Sequence, residues 1–298
     1  MNKFTNLHLH TLYSMQDSVI KIEDLVNKLT ELGHTACAVT DHSTTGAHFE
    51  FKQACLSKGI KPIYGNEFYM NKDYENPQRE KDHFICLAMN DDGVRNLNYL
   101  QNEAVEHFYY KPTLAYDSFR EHSYGLFATS ACSQGIIPKM ILENNMDEAW
   151  DYIDLFTDIF EGNFALELQF HPKYREQHTI NNGLLRLSEL SGVPLTVSTD
   201  AHFIDNRFLK VRKAVVAIGY KVKYEEAFDS LYSNCVGSDD LVLQFAEECD
   251  FDLSVAKKAI KNTSKIADSC NADLCNTDRK VPKFSKGEEL FELMDEVL

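Results

Sequence analysis

Two rhythms of apolar and polar positions alternate along the chain. Seven short apolar runs read as strands, at residues 4–9, 36–40, 62–69, 83–89, 125–130, 164–170 and 194–199. Between them lie stripes of helical period. Ile22, Leu25, Val26, Leu29 and Leu32 follow i, i+3, i+4 spacing up to Gly33. Trp150, Ile153, Phe156 and Phe160 do the same before Gly162, and Leu184, Leu185, Leu187 and Leu190 before Gly192. Buried strands alternating with amphipathic helices predict parallel strands joined by right-handed crossovers. Seven such units exceed a flavodoxin-like sheet and suit a closed β/α barrel. After about residue 223 the strand signal stops, so the barrel is expected over 1–223 and a helical extension over 224–298. Helices are predicted at 238–249, opened by a Ser238-Asp239-Asp240 cap, and at 254–269. A polar connector (271–287) and an acidic amphipathic helix (288–298) follow. The last helix carries Leu290, Leu293, Met294 and Val297 on one side, suited to packing on a partner or on its own barrel.

Composition narrows the class. With 44% hydrophobic and 26% charged residues, and only 13 Gly and 7 Pro, the chain is globular, neither disordered nor collagen-like. No run approaches the roughly 18 apolar residues of a membrane span, and residues 1–14 lack a signal-peptide core. A soluble cytoplasmic protein with no membrane partner is the expectation. The eight cysteines are scattered without a CxxC pair, which points to reduced thiols. The net charge of −16 argues against tight, non-specific nucleic-acid binding by this chain alone. Bound divalent cations would reverse that field locally.

The candidate chemistry lies where ionisable residues meet strand ends. His8 and His10 close the first run and, two apart, point to the same side of it. Asp41 and His42 follow the second run, Glu67 lies near the end of the third, Cys132 follows the fifth, and Asp200 and His202 follow the seventh. His83 opens the fourth run and is the exception. Barrel enzymes assemble their sites at the C-terminal ends of the strands, so these groups are expected to converge. Imidazole, carboxylate and one thiolate together form a metal-binding set. Singly, each part is weak, since a lone cysteine is more often a small buried hydrophobe and a lone histidine a satisfied core residue. The conjunction carries the argument. His34, His48, His107, His122 and His178 are expected at the surface, and His171, after the sixth run, near substrate.

The segments LHLHTLYSMQDS, AVTDHSTTGAHFEF, GIKPIYGNEFYM, LAMNDDGVRNL, ATSACSQGIIP, ALELQFH and LTVSTDAHF together resemble the PHP (polymerase and histidinol phosphatase) domain. The version resembled is that at the N-terminus of bacterial C-family replicative polymerases, the DNA polymerase III α subunits. The likeness runs the length of the chain, and AIKNTSKIADSC and KVPKF resemble the stretch that leads into a polymerase core. It implies an α/β fold, a distorted seven-stranded, TIM-like β/α barrel. It also implies two to three divalent metal ions, Zn²⁺ and/or Mn²⁺, with Fe²⁺ or Mg²⁺ as further options. The implied ligands are His8, His10, Asp17, His42, Glu67, His83, Cys132, Asp200 and His202; Asp17 enters only through the resemblance. Ser43 stands where the family has glycine, and Thr199-Asp200-Ala201-His202 replaces an Asn-Asp-x-His loop, but no ligand is lost. No polymerase carboxylate motif is found, so the chain is not expected to be a polymerase by itself. It reads as an excised domain or a free-standing relative.

Such a cluster suits phosphoester hydrolysis. His8, His10, Glu67 and Asp200 are expected to hold the more buried metal pair, with Asp41 joining the catalytic set by orienting His42. His83 and Cys132 would complete a neighbouring ion, and Asp17, His42 and His202 would bridge or hold the third. The resemblance makes the substrate a DNA 3′ end, the activity a proofreading 3′→5′ exonuclease and the partner a C-family polymerase core. The alternatives are a small-molecule phosphomonoesterase of the histidinol-phosphatase type and a non-catalytic scaffold that docks a polymerase. Only Lys61, Arg95 and Lys139 stand out as cations near strand ends.

Overall fold

Seven strands form one sheet in the computed structural model, which describes residues 4–227 and 232–274. They are β1 Ala36–Val39, β2 Lys61–Asn71, β3 Asp82–Ala88, β4 Leu114–Ala115, β5 Leu126–Thr129, β6 Phe164–Gln169 and β7 Leu195–Ser198. Their spatial order is β1-β2-β3-β5-β6-β7, with β4 attached to β2. Among the described residues ten α-helices surround the sheet. These are α1 Ile22–Glu31, α2 His48–Ser57, α3 Asp91–Glu106, α4 Phe119–His122, α5 Ile136–Leu142, α6 Met146–Ile159, α7 Arg175–Ser191, α8 Leu209–Tyr220, α9 Asp239–Glu248 and α10 Leu253–Ser269.

The sheet corrects the sequence reading twice. The first apolar run is no regular strand; residues 4–10 bend at His8 and make only the isolated bridge Leu9–Ala201. They nevertheless close the barrel. On one side Ala38 and Thr40 donate their N–H groups to the carbonyls of Asn6 (2.8 Å) and Leu9 (2.9 Å). On the other, His10 donates to the Ala201 carbonyl at 2.9 Å. The segment thus fills the gap between the two end strands, β1 and β7, with irregular but paired backbone. Secondly, the strands are not all parallel, because β3 runs antiparallel to both β2 and β5. Only residues 72–81 separate β2 from β3, fewer than the dozen or more a parallel crossover requires.

Aromatic packing holds the larger core. Phe84 on β3 meets the rings of Phe119, Phe156, Phe160 and Phe164 at centroid separations of 5.3, 4.5, 5.7 and 6.2 Å. Phe84→Ala is expected to cost about 3–5 kcal/mol, read as a lower urea midpoint at unchanged slope. A wild-type midpoint would contradict this packing. Close backbone approach fixes α3 against the start of β5, since a Cβ on Gly93 would lie 2.0 Å from the Gly125 carbonyl oxygen. The helices expected after residue 223 are α9 and α10. Ser238 caps α9 by accepting the Leu241 N–H at 3.4 Å. Thr263 of α10 accepts the Thr5 N–H at 2.9 Å, and Asn262 donates to the Leu195 carbonyl at 2.8 Å, so α10 braces both ends of the closure.

Two histidines expected at the surface are buried. His34 bonds the Gly237 carbonyl and His48 that of Gly65, each at 2.9 Å, and these partners make burial of the neutral rings tolerable. Among the described residues the cysteines are all free, and no helix is long and apolar enough to cross a membrane. The helix expected at 288–298, and Cys275, lie outside the described residues.

Candidate metal centre

One end of the barrel gathers the ionisable groups. His8 and His10 project from the closing segment on either side of the fully buried Leu9. Glu67 sits inside the eleven-residue β2, where the strand has run past the end of β1, and His42 pairs with it in an isolated bridge. His83 is no exception to the strand-end rule. Because β3 is antiparallel, its first residues lie at the end where its neighbours finish, opposite Tyr69 of β2. Cys132 follows β5, and Asp200 and His202 follow β7.

Glu67 is the hub. Its Oε1 lies 2.9 Å from His83 Nδ1 and 3.4 Å from His8 Nε2, and its Oε2 lies 2.8 Å from His42 Nδ1 and 3.1 Å from His10 Nε2. Cys132 Sγ is 3.8 Å from Oε1 and 3.5 Å from His83 Nδ1. Asp200 Oδ1 stands 3.1 Å from His8 Nε2 and 3.4 Å from both His10 Nε2 and His202 Nδ1. Asp17 Oδ2 bridges His42 and His202 at 3.0 and 3.1 Å. Three overlapping groups result: His8, His10 and Asp200; His42, Glu67 and His83; His10, His42 and His202. In each, the ligating atoms lie within 4.8 Å of one another.

Some of these atoms pair with one another, Asp17 with His42 and His202 and Glu67 Oε1 with His83, but three do not. His42 Nδ1, Glu67 Oε2 and Asp200 Oδ1 are buried without a hydrogen-bond partner, although His42 Nδ1 and Glu67 Oε2 are 2.8 Å apart. Close approach without hydrogen-bond geometry leaves these atoms turned toward a shared point, where a cation would take the place of ring protons. Buried polar atoms are otherwise almost always paired. The donor set of imidazoles, carboxylates and one thiol fits divalent cations.

Outer partners fix the rings. His8 Nδ1 meets Glu167 Oε1 at 2.8 Å, and Glu167 is itself held by Thr129, Ser198 and Gln169. His10 Nδ1 meets Ser14 Oγ at 2.9 Å. Both histidines therefore present Nε2 to the centre. Asp41, expected to orient His42, places its carboxylate on the N–H and hydroxyl groups of Thr11 and Ser14, at 2.7–3.1 Å, and Ser14 Oγ in turn accepts the His42 backbone N–H at 3.1 Å. It acts on His10 through Ser14. Glu167→Gln is expected to weaken metal binding by about 10–100-fold, measured by competition with a chromophoric chelator. Wild-type affinity would show that His8 needs no such support.

Charge follows this geometry. Burial by itself would raise the Glu67 carboxyl, but the imidazoles of His83, His42 and His8 hold it well below its ordinary value. Burial opposes charge on His8 and His42 as well. Asp200, Glu167 and Glu67 nevertheless raise His8 well above its ordinary value, and Glu67 and Asp17 raise His42 to about 10. Burial pushes the Cys132 thiol up.

The cluster opens into a cavity of about 540 Å³, whose wall includes Asp17, His42, Glu67, His83, Cys132, Asp200 and His202. His8 and His10 are buried beside it. His171 lines the wall, as expected of a residue near substrate, and is pinned between Ser233 and Gln169. The three cations singled out in the sequence point elsewhere. Lys61 bonds Ala267 and Asn271, Arg95 pairs with Asp92, and Lys139 pairs with Asp82. Sequence reasoning missed Glu167, whose signal is a lone acid within an apolar strand. It also missed Arg212 of α8, a buried guanidinium 3.0 Å from Asp17 Oδ1, for which no local signal exists.

A barrel closed in this way around a cluster of histidines and carboxylates able to hold metal defines a class, and the sequence pattern of the PHP domain matches residues 6–171. The chain belongs to the PHP domain family. That stretch holds His8, His10, Asp17, His42, Glu67, His83 and Cys132, and Asp200 and His202 lie beyond it. Among curated proteins it is 32% identical over 277 residues to DNA polymerase III subunit alpha of Borreliella burgdorferi, an alignment covering 91% of this chain and 24% of that protein. DNA polymerase III subunit alpha of Helicobacter pylori strain J99 is 30% identical over 300 residues, covering 94% of this chain and 24% of that protein. The chain thus spans about a quarter of the length of these relatives. A crystal structure from Bifidobacterium adolescentis, described as a candidate metal-dependent phosphoesterase, aligns with TM-score 0.44 and 14% identity over 82% of this chain and 96% of that one. A likeness that slight carries no argument here.

Proposed function

We propose that this PHP domain is a metal-dependent phosphoesterase, and that it works as a 3′→5′ exonuclease on DNA 3′ ends. The observation that supports hydrolysis most directly is the set of buried, unpartnered donor atoms of His42, Glu67 and Asp200 on the cavity. His8, His10, Glu67 and Asp200 would hold the more buried cations, His83 and Cys132 a neighbouring one, and Asp17, His42 and His202 the outermost. Bound divalent cations supply a water acidified towards a pKa of about 7 and neutralise phosphate charge. Glu167, through His8, and Asp41, through Ser14 and His10, keep ring nitrogens aimed inward. Arg212 holds Asp17 against the outer histidines. The DNA substrate, a cytoplasmic setting and a C-family polymerase core as neighbour are proposed from the relatives' name.

The test is a 5′-labelled single-stranded oligonucleotide incubated with Mn²⁺ or Zn²⁺ and either the wild-type chain or Asp200→Asn. The expected result is a ladder shortening from the 3′ end that vanishes in the variant. Hydrolysis of a small phosphomonoester without any ladder would assign the site to a small-molecule phosphatase. Metal loading without turnover of either substrate would leave a scaffold that docks a polymerase.

A further inference from the structure

An aromatic and basic rim stands beside the metal-binding cluster. Residues 107–111 form a tight turn in which Tyr109 and Lys111 bridge each other. Tyr110 takes φ 62°, a left-handed conformation that a bulky residue keeps only where its surroundings impose it. The turn sets the rings of Tyr109 and Tyr110 perpendicular, at 89° and 4.8 Å between centroids. Tyr109 is 41% and Tyr110 60% exposed, an unusual outlay of aromatic surface unless something stacks on it. Each ring is paired with a cation, the buried Lys81 at 5.1 Å from Tyr109 and the exposed Arg79 at 5.0 Å from Tyr110.

The turn adjoins the site. Lys111 Nζ lies 3.8 Å from the centroid of Tyr69, and the Tyr69 ring stacks on His42 at 5.3 Å and meets His83 edge-on at 5.1 Å. One side-chain layer therefore separates Lys111 from the cluster. A basic segment reaches the cavity of the cluster through Arg212 and Tyr220, for residues 206–224 contain six Lys or Arg and no Asp or Glu. In a chain of net charge −16, a basic segment on the cavity wall, with Lys111 one side-chain layer away from the cluster, marks where a polyanion would be received.

We propose that the 107–111 turn, with Arg79, is a stacking seat for the unpaired bases of a nucleic-acid strand, and that it leads the strand's 3′ end into the metal site. The proposal rests on the nuclease reading for its direction toward that site. Aromatic rings stack any base, while the cations track the backbone, so the seat is specific for single strands and indifferent to sequence.

The test is fluorescence anisotropy of a 5′-fluorescein oligothymidylate of about twelve nucleotides, within the span of such sites. Its linkages are phosphorothioates that resist cleavage, and the protein is the Mn²⁺-loaded full chain. Tyr109→Ala with Tyr110→Ala is expected to weaken binding at least about tenfold, while bound metal and melting temperature stay at wild-type values. Tyr124→Ala, an equally exposed ring just before β5 at the opposite end of the barrel, should leave binding unchanged. Lys111→Gln and Arg79→Gln should each flatten the log–log salt dependence by about 0.7. Wild-type affinity in the double-tyrosine variant, or tighter binding of a blunt duplex, overturns the seat and assigns the rim to another occupant, such as a protein partner. The two readings separate cleanly. Strand binding that depends on Tyr109 and Tyr110 without any cleavage sustains the seat and removes the nuclease reading. Cleavage that ignores both tyrosines does the reverse.

Discussion

Glu67→Gln is expected to remove most of the bound metal and to lower phosphoester hydrolysis by about 10³-fold, the equivalent of several kcal/mol of lost charge stabilisation. No other carboxylate in the cluster touches four histidines, His8, His10, His42 and His83, and Cys132 besides. Glutamine keeps the size but replaces one anionic oxygen with an N–H donor aimed at ring nitrogens that must act as acceptors toward a cation. Metal content by plasma mass spectrometry and turnover of a small phosphodiester would be measured together. The rise in melting temperature that Mn²⁺ gives the wild-type chain should shrink in parallel, because binding to the folded state alone is what stabilises it. A variant that keeps its metal and its activity would show that Glu67 is not the hub.

Metal binding at neutral pH is expected to release about three protons, two from His8 and His42 and one from the Cys132 thiol that burial keeps protonated. Burial disfavours the charged form of both rings, but the carboxylates around them win, raising His8 well above its ordinary value and His42 to about 10. Both are therefore imidazolium in the metal-free protein near pH 7, and both must become neutral to ligate. Affinity should climb steadily from pH 6 to pH 9. Stability of the chelated protein should move the other way. A folded-state pKa raised above the unfolded value gives stabilisation that is full below about pH 6.5 and lost as pH rises toward 10. Calorimetric titration with Mn²⁺ in two buffers of different ionisation enthalpy counts the protons. Heats independent of buffer would mean that these histidines are already neutral and that Cys132 does not bind as a thiolate.

Much of the site is legible in the chain because its signals are local. The HxH pair at 8 and 10 needs only a two-residue repeat in extended backbone to place both rings on one side, and the structure keeps that placement although the segment is no regular strand. Asp200 and His202 after β7, and Cys132 after β5, sit where strand ends predict. His83 was legible as a residue type but not as a strand-end residue, because its place depends on the direction of β3. Asp41 was legible as a buried acid next to His42, yet its partners turned out to be Thr11 and Ser14, brought close only when the first segment closes the barrel. His34 and His48 looked like surface residues for want of any sign of the Gly237 and Gly65 carbonyls that accept them.

By itself the sequence determined the positions of six of the strands, of the helices with apolar stripes or caps, and of the side chains capable of holding metal, since periodicity, capping and residue chemistry act within a few residues. Only the tertiary structure decided that β3 runs antiparallel, that residues 4–10 close the barrel without a ladder, and that Glu167 and Arg212 support the cluster. Those outcomes depend on hydrogen bonds and ion pairs between residues far apart in the chain, such as His8 with Glu167 and Asp17 with Arg212. No local pattern encodes which distant carboxylate a folded barrel will bring to a ring, or which guanidinium to a carboxylate.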